Sequence, residues 1–501
     1  MSIDAPAENW SELGDALGAL AASGGGEVRE DGEWLADLAA LHCEVHCKAK
    51  DPVLHLWSED LSLTRRILRV KQREPGCIIL EVHRFGRARP GKLEFLSNDS
   101  RRTPGQISRA QFRARFSRIL AERFPDATVE ALSSSPDLEH SLSGLYVRGR
   151  MREGSSDWAL LGVSAAEDTA AVDGMLASGL LWLDWTRAHS ARRAVEGLRL
   201  FVPEGKSRNL RERSLALSSS ARTEIFEYTD PDARMLKMDT ADAGNLESWL
   251  VPRREVDSLL VSAQDALNNI RAILPGSAGT IETRIFPRTK EVALCFRGLE
   301  FARYTKEGIF FGLGEKKQRL SEERQPSLDR LVGQLDLSRN SLATDTKHRL
   351  YRAAPERWLE TLLLEDPTRL DACLDPRFLY SQLPALAAGD RGVLDLLGVT
   401  RQGRLVVIEL KASEDMQMPV QAADYWLRVR RHQQEGDFQS YGYFNGFQLS
   451  AQPPLLWLVA PGLRFHPSTS VLLQYFSREI QVTRIGLNEN WRRGVKVVFR
   501  Q

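Results

Sequence analysis

Two hydrophobic periods alternate along this 501-residue chain. From about 53 to 97 the pattern is that of strands: Ile78-Ile79-Leu80-Glu81-Val82 is rich in β-formers, and Pro90-Gly91 reads as a turn. At 108–124 the period lengthens, and Phe112, Phe116, Ile119, Leu120 and Phe124 recur at helical spacing. More strands and a helix are expected up to about 240. A helix over 255–274, a second set of strands over 280–313 and a polar connector with some helix over 315–348 follow. Beyond it, 355–360 opens a helix with apolar residues at 358, 359, 362 and 363. Residues 392–399 read as a strand with Asp395 at its centre, 401–403 as a turn, and 405–411 as a second strand.

The order of these elements repeats. Residues 68–96 resemble 286–313 in strand and turn order, "LLGVSAAED" (160–168) sits like "VIELKASED" (407–415), and "LRLFVPEG" (198–205) sits like "LLWLVAPG" (455–462). Their shared order points to an internal duplication, and the alternative is that α/β proteins reuse such strings. The expected fold class is therefore α/β (α+β) and multidomain: a flexible tail (1–30), a β-rich module (31–105), a degenerate first copy of the C-terminal domain (106–240), a helix, β-rich module and connector (241–345), and the C-terminal domain (346–501). Aligning the copies puts Ser143, Gly162 and Ser164 at the places of Asp395, Glu409 and Lys411.

Composition narrows the class. Hydrophobic residues make up 42% and charged residues 27%, as in an ordinary globular protein. No apolar run reaches the roughly 18 residues that span a bilayer, the N-terminus lacks the pattern of a signal peptide, and five cysteines do not form a disulfide scaffold. A cytoplasmic protein is expected. The net charge of +1 is uninformative, but basic residues gather at 60–102 and in 401–432 (Arg401, Arg404, Lys411, Arg428, Arg430, Arg431, His432), and such patches can meet phosphates. In His42-Cys43-Glu44-Val45-His46-Cys47 a helix would pair His42 with His46 and Cys43 with Cys47. No second cysteine pair completes a metal site, so a helix packing its thiols inward is expected. There is no P-loop, nucleophile elbow or zinc-protease motif.

The informative chemistry lies between 355 and 426. Glu409 and Lys411 stand two apart in a strand, hence on one face, and a hairpin can bring Asp395 beside Glu409. Burying two carboxylates side by side is costly, because they repel and resist joint ionisation. A hard divalent cation removes the conflict, and the lysine is then placed to orient an attacking water or steady charge on a phosphate. Blander readings stand beside this one. Glu409 and Lys411 also suit an exposed ion pair on an edge strand, Asp395 a strand-end acid, and Gln421 and Tyr425 ordinary surface and packing residues. Glu356 also suits a first-turn acid facing the helix dipole, and Glu360 competes for its role.

These residues resemble the PD-(D/E)xK nuclease superfamily. Asp395 matches its first acid, Glu409-Leu410-Lys411 its (D/E)-x-K, and Glu356 the acid many members carry on the preceding helix. Gln421 and Tyr425, one helical turn apart, match the Q-x-x-x-Y element of RecB-like members. Leu394 stands where the signature has proline. The resemblance implies a restriction-endonuclease-like C-terminal domain. It implies Mg2+ (or Mn2+) held by Asp395, Glu409 and Glu356, with Lys411, Gln421 and Tyr425 completing the catalytic set. The implied activity is hydrolysis of nucleic acid, DNA ahead of RNA, in repair, recombination or defence, and an RNA nuclease with the same chemistry stays open. The first copy, without these carboxylates, would bind without cutting; the alternative is a protein in which neither copy cuts.

Overall fold

A computed structural model describes residues 10, 13, 14, 16, 17, 20, 26–31, 33–38, 41–48, 51–57, 62–74, 77–83, 90–97 and 104–501, the last range without 138, 191–192, 230–233, 241–249, 274–280, 288, 315–316 and 384–392. The protein is mixed α/β with four sheets among the described residues. It divides into two compact units, Met1–Ala114 and Arg115–Gln501.

The first unit is built on a seven-stranded antiparallel sheet between residues 26 and 97. Alternation makes it: in Cys77–His83 residues 78, 80 and 82 are buried, while those between are half-buried. Two expectations change here. Leu13 and Leu17 pack into this core and Gly26–Glu30 is a strand, so residues 1–30 are not simply a loose tail. His42–Lys48 is a strand, not a helix. Its β-branched and small residues suit a pleat, Cys43 and Val45 turn to the core, and His46 stays outside. Much of the basic stretch is spent in pairs: Arg65 with Glu30 at 2.7 Å, Arg69 and Lys71 with Glu81, Lys92 with Glu94 at 2.6 Å. Its residues 84–89 and 101–102 lie outside those described.

The second unit holds a five-stranded antiparallel sheet (residues 281–319), covered by the helices Arg253–Ile273 and Gln325–Ser338, and two six-stranded sheets. In the first six-stranded sheet the strands are Thr128–Ser133, Tyr146–Glu153, Ser156–Val163, Val195–Pro203, Arg222–Tyr228 and Met235–Met238. In the second they are Leu374–Leu383, Leu394–Thr400, Leu405–Leu410, Leu455–Pro461, Gln481–Leu487 and Val497–Arg500. Both lie in chain order, and both run antiparallel, antiparallel, parallel, parallel, antiparallel. In each, a long helix, Met175–Ala188 or Met418–Glu435, links the third strand to the fourth, as a parallel crossover requires. A short one, Arg208–Ser214 or Thr469–Leu473, precedes the fifth.

The two sheets meet reciprocally. Each short helix packs on the other sheet's long helix. Between them Leu217 bridges Phe476, with Ser218 N donating to Tyr475 O and Ser477 N to Ala216 O, both at 2.8 Å. A buried ionic chain crosses the same seam: Glu212 to Arg428 (3.0 Å), Arg428 to Asp424 (3.2 Å), Asp424 to Arg213 (3.4 Å). Glu212 and Arg428 are shut off from solvent.

Candidate active site

The second sheet makes a site where its apolar pattern breaks. Leu405–Leu410 is covered on both faces, as an inner strand running parallel to its neighbour must be. Leu405 and Val407 join the core beneath the Met418–Glu435 helix, whereas Val406, Ile408 and Leu410 join the core beneath the Pro355–Glu365 helix. Parity places Glu409 and Lys411 on the first of these faces. The hairpin pairs Leu396 with Ile408 and Leu397 with Val407, so Asp395 comes opposite Glu409. Gly403 makes the turn possible: it has φ 88°, and a Cβ there would lie 2.4 Å from Gln448 O.

All six sequence-predicted residues, Glu356, Asp395, Glu409, Lys411, Gln421 and Tyr425, line one cavity of about 630 Å3. Asp395 accepts from Leu410 N at 2.9 Å, which locks its carboxylate to the neighbouring strand, and lies 3.5 Å from Arg357 Nη1. Glu409 is 3% exposed. Its Oε1 is 3.4 Å from Lys411 Nζ, while its Oε2 is buried without a hydrogen-bond partner. Lys411 also reaches Asp415 at 3.2 Å. Glu356 accepts from Ala412 N at 3.2 Å. The lining includes Glu356 and not Glu360, which pairs with Arg357 at 2.7 Å and whose carboxyl burial pushes up to about 7. Helix geometry sets Gln421 and Tyr425 one turn apart on the cavity side, and Gly436 in the left-handed region ends that helix.

The electrostatics follow from enclosure. Burial raises the Asp395 carboxyl above its ordinary range, and burial together with Asp395 raises Glu409 well above it. Burial opposes the charge on Lys411, but Glu409, Asp415 and Asp395 outweigh it and hold the ammonium above its usual value. Burial, then the charges of Glu409 and Asp395, pushes up the Tyr425 phenol, which stays a neutral donor. Two neighbouring carboxyls held against ionisation, with an orphaned buried oxygen on one, fit a hard divalent cation.

Sequence reasoning missed half of the wall. Asp173, Gly174 and Arg213 of the first sheet's half line the same cavity, and Gln417 Nε2 donates to Gly174 O at 3.2 Å. No local signal marks these residues, because their role arises from contacts more than 200 positions away. Arg357 follows Glu356 directly and Asp415 stands four beyond Lys411, so nearness in the chain could have found both. Ala354, also on the wall, has φ 41°, a left-handed residue just before a helix-opening proline. The basic segment 401–432 is not a basic face: Arg428 and His432 are buried, Arg430 pairs with Glu479 and Arg431 with Glu435.

The alignment of the first half also needs correction. There, Ala159, Leu161 and Val163 face the long helix, while Gly162 faces away, where a Cβ would meet the Phe116 ring at 2.8 Å. Leu161 pairs with Leu200, three before the strand-ending Pro203, as Glu409 pairs with Leu458, three before Pro461. Opposite Leu161 stands Arg148. Leu161, Arg148 and Val163, not Gly162, Ser143 and Ser164, therefore occupy the places of Glu409, Asp395 and Lys411. A one-residue slip in a strand exchanges its faces. Counting along the long helices from Met175 and Met418 sets Ser178 at the place of Gln421 and Trp182 at that of Tyr425. The Arg148 guanidinium lies 5.7 Å over the Trp182 ring.

No helix among the described residues is long and apolar enough to cross a membrane. No protein-family model matches the chain, and no curated protein matches it. Among solved structures, it is similar in part to a repair endonuclease from Pyrococcus abyssi, at 19% identity and a TM-score of 0.17. The match covers 24% of this chain and 42% of that one, and a likeness of that extent carries no conclusion about function.

Proposed function

We propose that the cavity of the second sheet is the centre of a metal-dependent nuclease of the PD-(D/E)xK type that hydrolyses phosphodiester bonds of DNA. The observation that carries this reading is the convergence of Asp395, Glu409, Glu356 and Lys411 on one cavity, with Glu409 Oε2 buried and unpartnered. Asp395 and Glu409, with Glu356, would hold Mg2+ or Mn2+; when bound, such an ion supplies Lewis-acid stabilisation of charge on the phosphate and eases deprotonation of a water. Lys411, kept charged by Glu409 and Asp415, is placed to orient that water and to steady negative charge in the transition state. Leu410 N holds Asp395 and Ala412 N holds Glu356, so neither carboxylate need reorganise. Gln421 and the neutral Tyr425 offer donors to the substrate, and Arg213 and Arg357 add positive charge to a wall that a phosphate must approach. In the first half Arg148, Leu161 and Val163 offer no such acids; that sheet acts as a non-cutting partner and supplies part of the wall. Repair, recombination or defence, within the cytoplasm, is the setting such an activity suits.

The test is direct. Purified protein with Mg2+ or Mn2+ is presented with linear, circular and single-stranded DNA and with RNA. Cleavage of DNA that is abolished by a chelator and by Asp395→Asn is the expected result. A folded wild-type protein that cuts none of these substrates overturns the proposal.

A further inference from the structure

A second cavity, of about 190 Å3, lies where the five-stranded sheet meets the other face of the Pro355–Glu365 helix. Arg297, Arg492 and Arg493 line it with Trp358. Among the described residues no carboxylate lies within ion-pair distance of any of these three arginines. Beneath them Arg339 is fully buried, 4.8 Å over the Trp358 ring, and donates only to main-chain oxygens, including those of Phe296, Arg297 and Leu350. Arg297 and Arg492 also stand over Trp358, at 5.7 and 5.2 Å. The positive charge is thus gathered around one indole rather than neutralised. Two carboxyls share the lining. Glu365 is exposed, and burial pushes Glu282 up to about 7, so it is held toward its uncharged form.

Two further features accompany this cluster. Trp358 Nε1 and Arg492 Nε are buried donors without a partner, and buried donors in a folded protein are expected to be satisfied. Arg297 itself is held in an unfavourable conformation. It forms the two-residue turn of the hairpin that pairs Phe296 with Leu299, and both turn residues have positive φ, 46° at Arg297 and 77° at Gly298. Such turns select Asn or Gly at the first position. Gly298 has a packing reason, since a Cβ would come 2.3 Å from Arg357 O. Arginine at 297 has none in the turn. An outlier kept against local preference suggests a function for the side chain.

We propose that this cavity binds a phosphate group, gripped by Arg297, Arg492 and Arg493 over Trp358. The space holds several water molecules at about 30 Å3 each and falls short of the roughly 300 Å3 at which sites for larger ligands begin. A phosphoryl group enters alone, and the rest of its carrier stays outside. The carrier is either the phosphorylated end of a nucleic-acid strand or free phosphate. This inference does not depend on the nuclease reading.

Thermal shift and calorimetry in the presence of a chelator, so that no strand is cut, test it. The probes are inorganic phosphate, chloride at matched ionic strength, and one oligonucleotide with and without a 5′-phosphate. Wild-type protein should show a saturable stabilisation by phosphate that chloride does not give. Arg297→Gly relieves the left-handed residue, so the unliganded variant should melt no lower than wild type yet bind phosphate at least ten-fold more weakly. Exposed Arg493→Gln, which leaves the fold untouched, should weaken binding several-fold. Ten-fold tighter binding of the 5′-phosphorylated strand, lost in Arg297→Gly, assigns the strand end; equal binding of both strands, with phosphate still bound, assigns free phosphate. Absence of any saturable phosphate effect on the wild type, or its retention in both variants, overturns the proposal.

Discussion

The two six-stranded sheets share strand order, strand directions and crossover helices, yet one is packed shut where the other is open. At matching places the first has Arg148, Leu161 and Val163, and the second Asp395, Glu409 and Lys411. In the first, Arg148 spends its charge on the Trp182 ring and on Ser135 O, and Leu161 joins a continuous apolar core. In the second, two buried acids repel each other and a carboxylate oxygen goes without a partner. The same frame therefore either closes over a continuous apolar core or keeps two neighbouring acids that an additional partner can satisfy. The difference lies in the side chains at matching places on one face, and the closed half is not idle, since its Arg213 and Asp173 wall the open one.

The comparison can be broken at its seam. Arg428→Met leaves Glu212 and Asp424 buried with their shared cation gone. Denaturant unfolding should show a loss of about 3–5 kcal/mol; a loss below about 1 kcal/mol would mean that the ionic chain does not join the halves. Next in size, Asp395→Asn or Lys411→Ala should lower DNA cleavage by about 100-fold or more, since each removes a group acting on developing charge. The matching changes Arg148→Gln and Val163→Ala should leave single-turnover cleavage within a few-fold. Equal losses in both halves would contradict the assignment of one closed and one open site. Gly162→Ala drives a methyl into the Phe116 ring and should cost about 1–3 kcal/mol of stability by overpacking, read as a lower denaturation midpoint. If it costs nothing, the face assignment in the first sheet is mistaken.

The smallest effect sharpens the contrast through pH. A carboxyl raised by folding binds its proton more tightly in the folded state, so it favours the fold at low pH, and that advantage fades as pH rises through the raised value. Metal-free wild-type protein should therefore lose melting temperature as pH rises above the ordinary carboxylate range, and Asp395→Asn should lose less, because Glu409 then ionises without its neighbour's charge. A larger loss in the variant would count against coupled burial of the two acids.

The six residues first singled out for the second site were legible because each is a local break in a period: an acid opening an apolar helix, an acid inside an apolar strand, Glu and Lys two apart in the next, Gln and Tyr one turn apart. The first half was legible as an order of elements but not as a register. Matching "LLGVSAAED" to "VIELKASED" aligns letters, whereas the fold aligns faces, and one position separates the two. The helix expected at His42–Cys47 failed because i, i+4 repeats of His and Cys exist in any string, while the segment is recruited as a strand by the hairpin partner Asp51–Trp57 that follows it directly. Arg213 and Asp173 were beyond reach because the contacts that bring their segments to the site come from more than 200 positions away. The basic cluster at 401–432 misled because composition cannot tell a guanidinium facing solvent from one, like Arg428, enclosed between two carboxylates.

The ionic seam also has a meaning in time. Glu212 leaves the ribosome 216 residues before its partner Arg428, which at about 5–20 residues per second is a wait of roughly 10–40 s. During that interval the first half is complete through its sixth strand, and the surface that will become the seam is uncovered. A seam made only of apolar contacts, without the ionic chain beside Val420, Leu472 and Tyr475, would invite association with other nascent chains. Glu212 and Arg213 are instead well solvated until their partners arrive, and the cost of removing them from water is met only when Arg428 and Asp424 can compensate it. The seam is thereby suited to staying open while the chain is unfinished and to closing once, with its own second half.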